Sequence, residues 1–349
     1  MYAQASTRKG RSSSIERVER RALLAATAAI DLRGVLQVAG TDAAEEIAVR
    51  YDDTGSTIGV YIDGVLLEAF PPVYRIVINA GAGNDRVLAQ TRRKTVVMAG
   101  DGDDTVLGVA GADVFYGEAG NDLLQGGSGY DSLLGGDGND TLLGDGGGGG
   151  LWGNAGDDSI IGGSSDEMLF GGAGNDTLLG LAGRDVLYPG TGIDWIDGGS
   201  DVDSANYSFE NTNASMRLSL DGIANDGAVG ANTGNLIAVE DLGTGDGDDI
   251  LIGNGHANRL DAGKGNDTIY GLGGDDTIDS GWGVNLVDAG TGNDVVMRSG
   301  IDTIYGGAGD DAVESVAGGG TARSRGRCRR RYARRRWREH HRLRRPRQR

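Results

Sequence analysis

The chain has little of what holds most folds together. Its one cysteine, Cys328, excludes an internal disulfide framework and a thiolate metal cluster. Four prolines and no strict Gly-X-Y period exclude collagen. Aromatic residues are 5% of the chain, too few for a large aromatic core. No stretch approaches the ~20 apolar residues of a membrane-spanning helix. The three histidines, His256, His340 and His341, form no HExxH zinc site. A G-x-S-x-G nucleophile elbow and a Walker A loop are also missing. Gly144, Gly146 and Gly149 fit G-x-G-x-x-G in letter only, since they lie in a polyglycine turn with no helix to follow.

What is abundant is glycine and negative charge. Glycine fills 65 of 349 positions, against a usual ~7%. Each glycine in a helix costs ~1 kcal/mol relative to alanine, so a helical bundle is disfavoured. The net charge of −18 is unevenly spread. Arg323–Arg349 holds fifteen arginines against one acid, Glu339, so this tail carries +14 and the rest −32. A body of −32 repels itself, nucleic acid and anionic lipid, and calls for divalent cations.

Self-similarity is the first thing to test in such a chain. From Ala99 to Asn206 the sequence divides into nine-residue units without a gap. Every eighth position is apolar: Val106, Phe115, Leu124, Leu133, Leu142, Leu151, Ile160, Leu169, Leu178, Leu187, Ile196 and Ala205. The fourth position is glycine and the sixth aspartate in ten of the twelve units. Gly171-Gly-Ala-Gly-Asn-Asp-Thr-Leu-Leu179 shows the whole pattern. A short strand turns one side chain inward per unit, and a glycine-rich turn reverses the chain. Two units then make one coil of 18 residues with two parallel sheets, stacked at ~4.8 Å. The core is a thin file of aliphatic side chains, so the turns need another source of stability.

The unit is the nonapeptide GGxGxDxUx, a known signature of calcium-binding parallel β-helices. The chain resembles the RTX, or haemolysin-type calcium-binding, repeat family over roughly residues 80–314. The resemblance implies an all-β, right-handed parallel β-roll with Ca2+ bound at multiple turns. Calcium takes 6–8 oxygens, which sixth-position carboxylates and turn carbonyls of stacked coils can supply.

Consecutive units turn at opposite edges of such a roll. One edge carries Asp104, Asp122, Asp140, Asp158, Asp176 and Asp194, with Gly102, Gly120, Gly138, Gly156, Gly174 and Gly192 at the fourth positions. The other carries Asp113, Asp131, Gly149, Glu167, Asp185 and Asp203, and has Ser165 and Asp201 in place of fourth-position glycines. One calcium ladder is therefore expected to be intact and the other interrupted near Gly149 and Glu167. Upstream, Asp85 joins the intact edge through Ala80–Val87, while the glycine-free unit 90–98, with Arg92, Arg93 and Lys94 in its turn, predicts a calcium-free coil.

The register lapses over 207–243 and resumes over 244–314. Sixth positions there are Asp249, Asn258, Asp267, Asp276, Asn285, Asp294, Asp302 and Asp311, with carbonyls expected from Gly265, Gly274, Gly292 and Gly309. Asp294 and Asp302 are eight apart, so one unit is a residue short. The two asparagines predict weaker calcium sites, since their carbonyl coordinates with less charge.

The flanks divide in turn. Residues 31–79 alternate apolar and polar in short runs and predict a β-strand cap or entry coils. Residues 1–30 combine basic residues with Ala22–Ile30, like a secretory signal. Ile15–Ala25 is similar to an N-terminal motif of many planctomycete surface proteins, lacking its proline. A short amphipathic capping helix is the alternative there. The segment 315–349 is expected to be disordered. Tyr332 and Trp337 among its arginines suit a polyanion, yet its abrupt onset resembles translation in a shifted frame of GC-rich DNA.

The expected function is an extracellular calcium-binding repeat protein, not an enzyme, that folds on calcium and has a structural or surface-interaction role. Its partners would be calcium and cell-surface glycans or proteins, with no nucleic acid held by the body and no membrane span. One alternative is part of a larger RTX effector without its catalytic domain. Another is a β-solenoid polysaccharide lyase or epimerase, for which Tyr188, Asp194 and Trp195 are the candidate group.

Overall fold

The computed structural model describes residues 26–315 apart from 53, 209–213, 224 and 229–233, together with the backbone of 323–325 and 328–330. All described elements are strands, wound into a β-solenoid of about 13 turns. Strands recur every 18 residues and pair in parallel. Val114–Ala119 pairs with Asp131–Asp137, which pairs with Gly149–Ala155, each register putting Phe115, Leu133 and Leu151 side by side. The opposite face repeats the arrangement through Leu123–Gln125, Thr141–Asp145 and Ser159–Gly163. Every eighth-position side chain from Val106 to Ala205 is buried. These files meet in one core cluster along the roll. Period-2 alternation explains it: with one side chain inward per three-residue strand, its neighbours must face out or into the turn.

The two expected faces are present, and among the described residues one of them is divided into two sheets. One face is a continuous 16-stranded sheet running the length of the roll. The other is split into an 11-stranded and a 7-stranded sheet. The split falls at the register break. There Asn235–Ile237 closes the first sheet by pairing with Trp195–Asp197, while Met216–Ser219 opens the second by pairing with Ile250–Ile252. The insertion thus places one more strand on this face than the opposite face can match. Asp226, fully buried, spans the seam: its Oδ1 accepts the Ser219 N–H and its Oδ2 the Leu236 N–H. One carboxylate stands in for missing ladder bonds between the two sheets. Its burial pushes it up to about 7.

The start of the roll combines entry coil and cap. Leu36–Ala39 and Glu46–Tyr51 stack in parallel under Arg75–Ala82 and Arg86–Gln90. Antiparallel strands then close both sheets, Thr27–Ile30 on one side and Ile58–Ile62 with Val65–Phe70 on the other. Ala26 is buried and Thr27–Ile30 is a strand, so the last residues of the signal-like segment belong to the roll. Residues 1–25, with the planctomycete-like motif, lie outside the described residues.

Disorder was expected throughout 315–349, but the backbone of Arg323–Arg325 and Cys328–Arg330 continues the stack, parallel to Thr303–Tyr305 and Asp311–Val313. Parallel pairing uses main-chain groups alone and needs no particular side chain. Tyr332 and Trp337 lie outside the described residues.

Candidate metal sites in the turns

The sixth-position aspartates form hydrogen-bonded ladders along the turns. The Asp104 N–H donates to Asp122 Oδ1 at 2.7 Å. The relation repeats from Asp122 to Asp140, Asp140 to Asp158, Asp158 to Asp176 and Asp176 to Asp194. At the near end Glu45 donates to Asp85, and Asp85 to Asp104. This edge is unbroken from Glu45 to Asp194.

On the opposite edge Thr95, the sixth residue of the glycine-free unit, donates to Asp113, and Asp113 to Asp131. The chain of carboxylates then stops, and the Asp131 N–H turns to the Gly148 carbonyl at 3.1 Å. Gly149 has no side chain to offer. Glu167, one methylene longer, folds back onto the Gly163 N–H of its own turn. From Glu167 the ladder resumes through Asp185, Asp203 and Glu240.

Each aspartate uses one oxygen this way. The other is buried and has no hydrogen-bond partner at Asp85, Asp104, Asp113, Asp122, Asp131, Asp140, Asp158, Asp176, Asp185 and Asp203. The same holds in the second block at Asp249, Asp267, Asp276, Asp294 and Asp311. These oxygens face acceptors. A Cβ built on Gly117 would collide with Asp122 Oδ2 and with the carbonyl of Gly135 in the next coil. Gly153 is enclosed likewise by Asp158 Oδ2 and the Gly171 carbonyl, and Gly271 by Asp276 Oδ2 and the Ala289 carbonyl. A carboxylate oxygen and a carbonyl oxygen thus converge with no donor between them, an arrangement that fits a hard cation. Among the described residues no three acidic, histidine or cysteine side chains converge on one point. A cation here takes most of its oxygens from the main chain.

Burial is also the main influence on these carboxylates. It pushes Asp113, Asp140 and Asp176 up to about 7, and Asp85, Asp122, Asp158 and Asp203 up to about 6. Neighbouring rungs add to it: Asp122 and Asp158 both raise Asp140. Protein cations offer little relief. Among the described residues the ion pairs are Arg86–Glu46 and Lys264–Asp246, both exposed.

The fourth-position glycines fill a steric role. Gly102, Gly120, Gly138, Gly156, Gly174, Gly192, Gly265, Gly274, Gly292 and Gly309 all have positive φ. The carbonyls of Gly102, Gly120, Gly138, Gly156 and Gly174 each run along the stack toward the next fourth-position glycine, so that a Cβ on Gly120 would strike Gly102 O. The carbonyls that meet the orphaned carboxylate oxygens are those of the first position, which sequence reasoning did not single out.

It also missed two glutamates of the turn ladders and a second ladder. Glu45 and Glu240 hold sixth positions in units lacking the fourth-position glycine, Gly40–Ala48 and Asn235–Gly243. Their signal was the buried apolar residue two places on, Ile47 and Leu242. The fifth positions of the unbroken edge are Asn or Asp from Asn84 to Asn175, and they bond in the reverse direction: Asn121 N–H to Asp103, Asn139 N–H to Asn121, Asp157 N–H to Asn139. Tyr188 and Trp195, by contrast, lie in strands of opposite sheets, with Asp194 buried in the turn between them. The structure does not bring the candidate catalytic group together.

The RTX calcium-binding nonapeptide repeat matches residues 98–133, 116–150, 151–178, 161–196, 179–206, 244–269, 263–296 and 298–321. The chain belongs to the RTX calcium-binding repeat family. As an RTX protein it binds calcium at multiple sites, and the matched repeats cover both blocks of the roll on either side of the insertion. The first RTX match begins at residue 98, so Asp85 with its unpartnered oxygen lies outside it. No curated protein matches the chain as a relative. No helix among the described residues is long and apolar enough to cross a membrane.

Proposed function

We propose that this protein is an extracellular RTX module whose folding is driven by calcium, with a structural or surface-interaction role and no catalysis of its own. The observation that carries the reading is the file of buried carboxylate oxygens without donors, which at Asp122, Asp158, Asp176, Asp185 and Asp276 face a first-position carbonyl of the next coil. Without a cation, a neutral-pH roll must bury unpaired negative charge at every coil, which is costly. With Ca2+ bridging carboxylate and carbonyls, the same turns become stable. Binding free energy is then folding free energy. Extracellular modules bind calcium at ~10⁻⁴–10⁻³ M, so the chain stays expanded inside a cell and folds once exported. Calcium ligands in this reading are the sixth-position aspartates with an orphaned oxygen, from Asp85 to Asp311. Cell-surface glycans and proteins are the partners for the folded outer faces.

Circular dichroism against calcium concentration tests it. The β signal should appear cooperatively in the range of ~10⁻⁴–10⁻³ M and vanish on chelation. A signal already complete in chelator at pH 7.5 would overturn the reading.

A further inference from the structure

Asn285 sits in the ladder like an aspartate, and its Oδ1 accepts the Asp267 N–H at 2.9 Å. Its second atom is a donor. Nδ2 bonds the carbonyl of Ser280, the first residue of its own turn, at 2.6 Å. In Asp122 and Asp276 the atom in place of this donor is a carboxylate oxygen, which faces the first-position carbonyl of the next coil. One coil further, Asp302 Oδ1 accepts the Asn285 N–H at 3.4 Å, and its Oδ2 accepts the Ser280 hydroxyl at 3.1 Å. Oδ2 of Asp302 therefore reaches a donor, shared with the Met297 carbonyl at 3.3 Å, where its counterparts at Asp249, Asp267 and Asp294 have none. All three residues are buried. The one-residue deletion between Asp294 and Asp302 falls within this coil.

We propose that Ser280, Asn285 and Asp302 form a cation-free clasp that closes two successive turns without calcium, so that the calcium ladder on this edge ends at Asp267. The amide nitrogen and the serine hydroxyl supply the positive partners that calcium supplies elsewhere. Buried polar groups satisfied in this way gain nothing from a cation, and a cation at the amide would meet a donor instead of an oxygen. The clasp replaces the weak calcium site expected at Asn285 and removes Asp302 from the expected ligands. It also gives the chain a place where coils stay stacked when calcium is absent, from which the calcium-dependent coils on the Asp267 side can grow.

The inference rests on the calcium-folding reading for its contrast with the other turns. Two measurements on the full chain test it. Amide exchange in chelator should be at least about tenfold slower in Leu286–Asp288 and Thr303–Tyr305 than in Thr177–Leu181. Equal loss of protection in all three overturns the clasp while leaving calcium-driven folding in place. Protection unchanged by calcium in all three overturns calcium-driven folding, and the clasp then stands or falls on stoichiometry. Asn285→Asp restores an acceptor facing the Ser280 carbonyl and should bind one more calcium per chain than the parent in equilibrium dialysis. An unchanged stoichiometry overturns the clasp. If Asn285→Asp does not fold, the exchange contrast in the parent chain decides.

Discussion

The backbone N–H of Asp158 donates to Oδ1 of Asp176, one coil further along, at 2.9 Å, and Oδ2 of Asp176 meets no donor. One carboxylate thus does two separable jobs. The first oxygen holds successive coils in register, and the second is left for a cation.

Replacing one rung separates these jobs. Asp140→Asn keeps an oxygen for the Asp122 N–H but removes a charge, so it should cost little stability in chelator at low pH. It should shift the calcium midpoint upward and lower the number of bound ions. Asp140→Ala also leaves the buried Asp122 N–H unpaired and should cost a further ~1–3 kcal/mol. Calcium titrations with urea denaturation of both variants check this.

The raised carboxylates give the calcium-free roll an inverted pH dependence. Asp113, Asp140 and Asp176 are pushed from 3.8 to about 7 on folding. Folding in chelator therefore takes up protons. Its stability is full below about pH 4 and is lost as pH rises through about 7. In chelator the β signal should be strong at pH 4 and weak at pH 8. In saturating calcium the pH 8 signal should be restored, while calcium affinity falls toward pH 4 as protons compete. A chelated protein equally folded at both pH values would contradict this.

The second position of many units adopts a positive φ, supplied by glycine at Gly136 and Gly172 but by Leu181 and Leu272 elsewhere. Both leucines are exposed, so they lose little on truncation. Leu181→Gly and Leu272→Gly should each stabilise by up to ~1 kcal/mol, since left-handed conformation costs a non-glycine residue roughly 1–2 kcal/mol. Gly120→Ala should do the opposite, because its Cβ would strike Gly102 O. Thermal melts in saturating calcium report all three.

At the seam, Asp226→Asn places an amide donor against one of two N–H groups, Ser219 or Leu236. A loss of about 1–3 kcal/mol is expected for a buried group left unpaired. The loss should concentrate in amide exchange of Met216–Ser219 and Asn235–Ile237 and leave Leu123–Gln125 unaffected.

The inward file and the two edges were legible because period and burial coincide: Val106 through Ala205 recur every nine residues, and all are buried. The contrast between edges could also be read, since a glycine at 149 leaves nothing to accept a rung. Glu45 and Glu240 escaped notice because their units have alanine at the fourth position and glutamate at the sixth, and only the apolar residue two places on marks them. The split of one face was beyond the sequence. It depends on where Met216–Ser219 lands in the stack, which is decided by pairing with residues 33 places later and by Asp226 bridging the gap. Asn285 looked like a weakened aspartate because composition counts its charge and not the direction of its amide.

Among the described residues the unsplit 16-stranded sheet is the only sheet that crosses the insertion without a break. Stability of a stacked array is passed between neighbours, so the two blocks communicate through one face and not two. They should behave as loosely geared halves. Each would collapse at its own calcium level, with the seam acting as a firebreak that keeps the unravelling of one half from consuming the other.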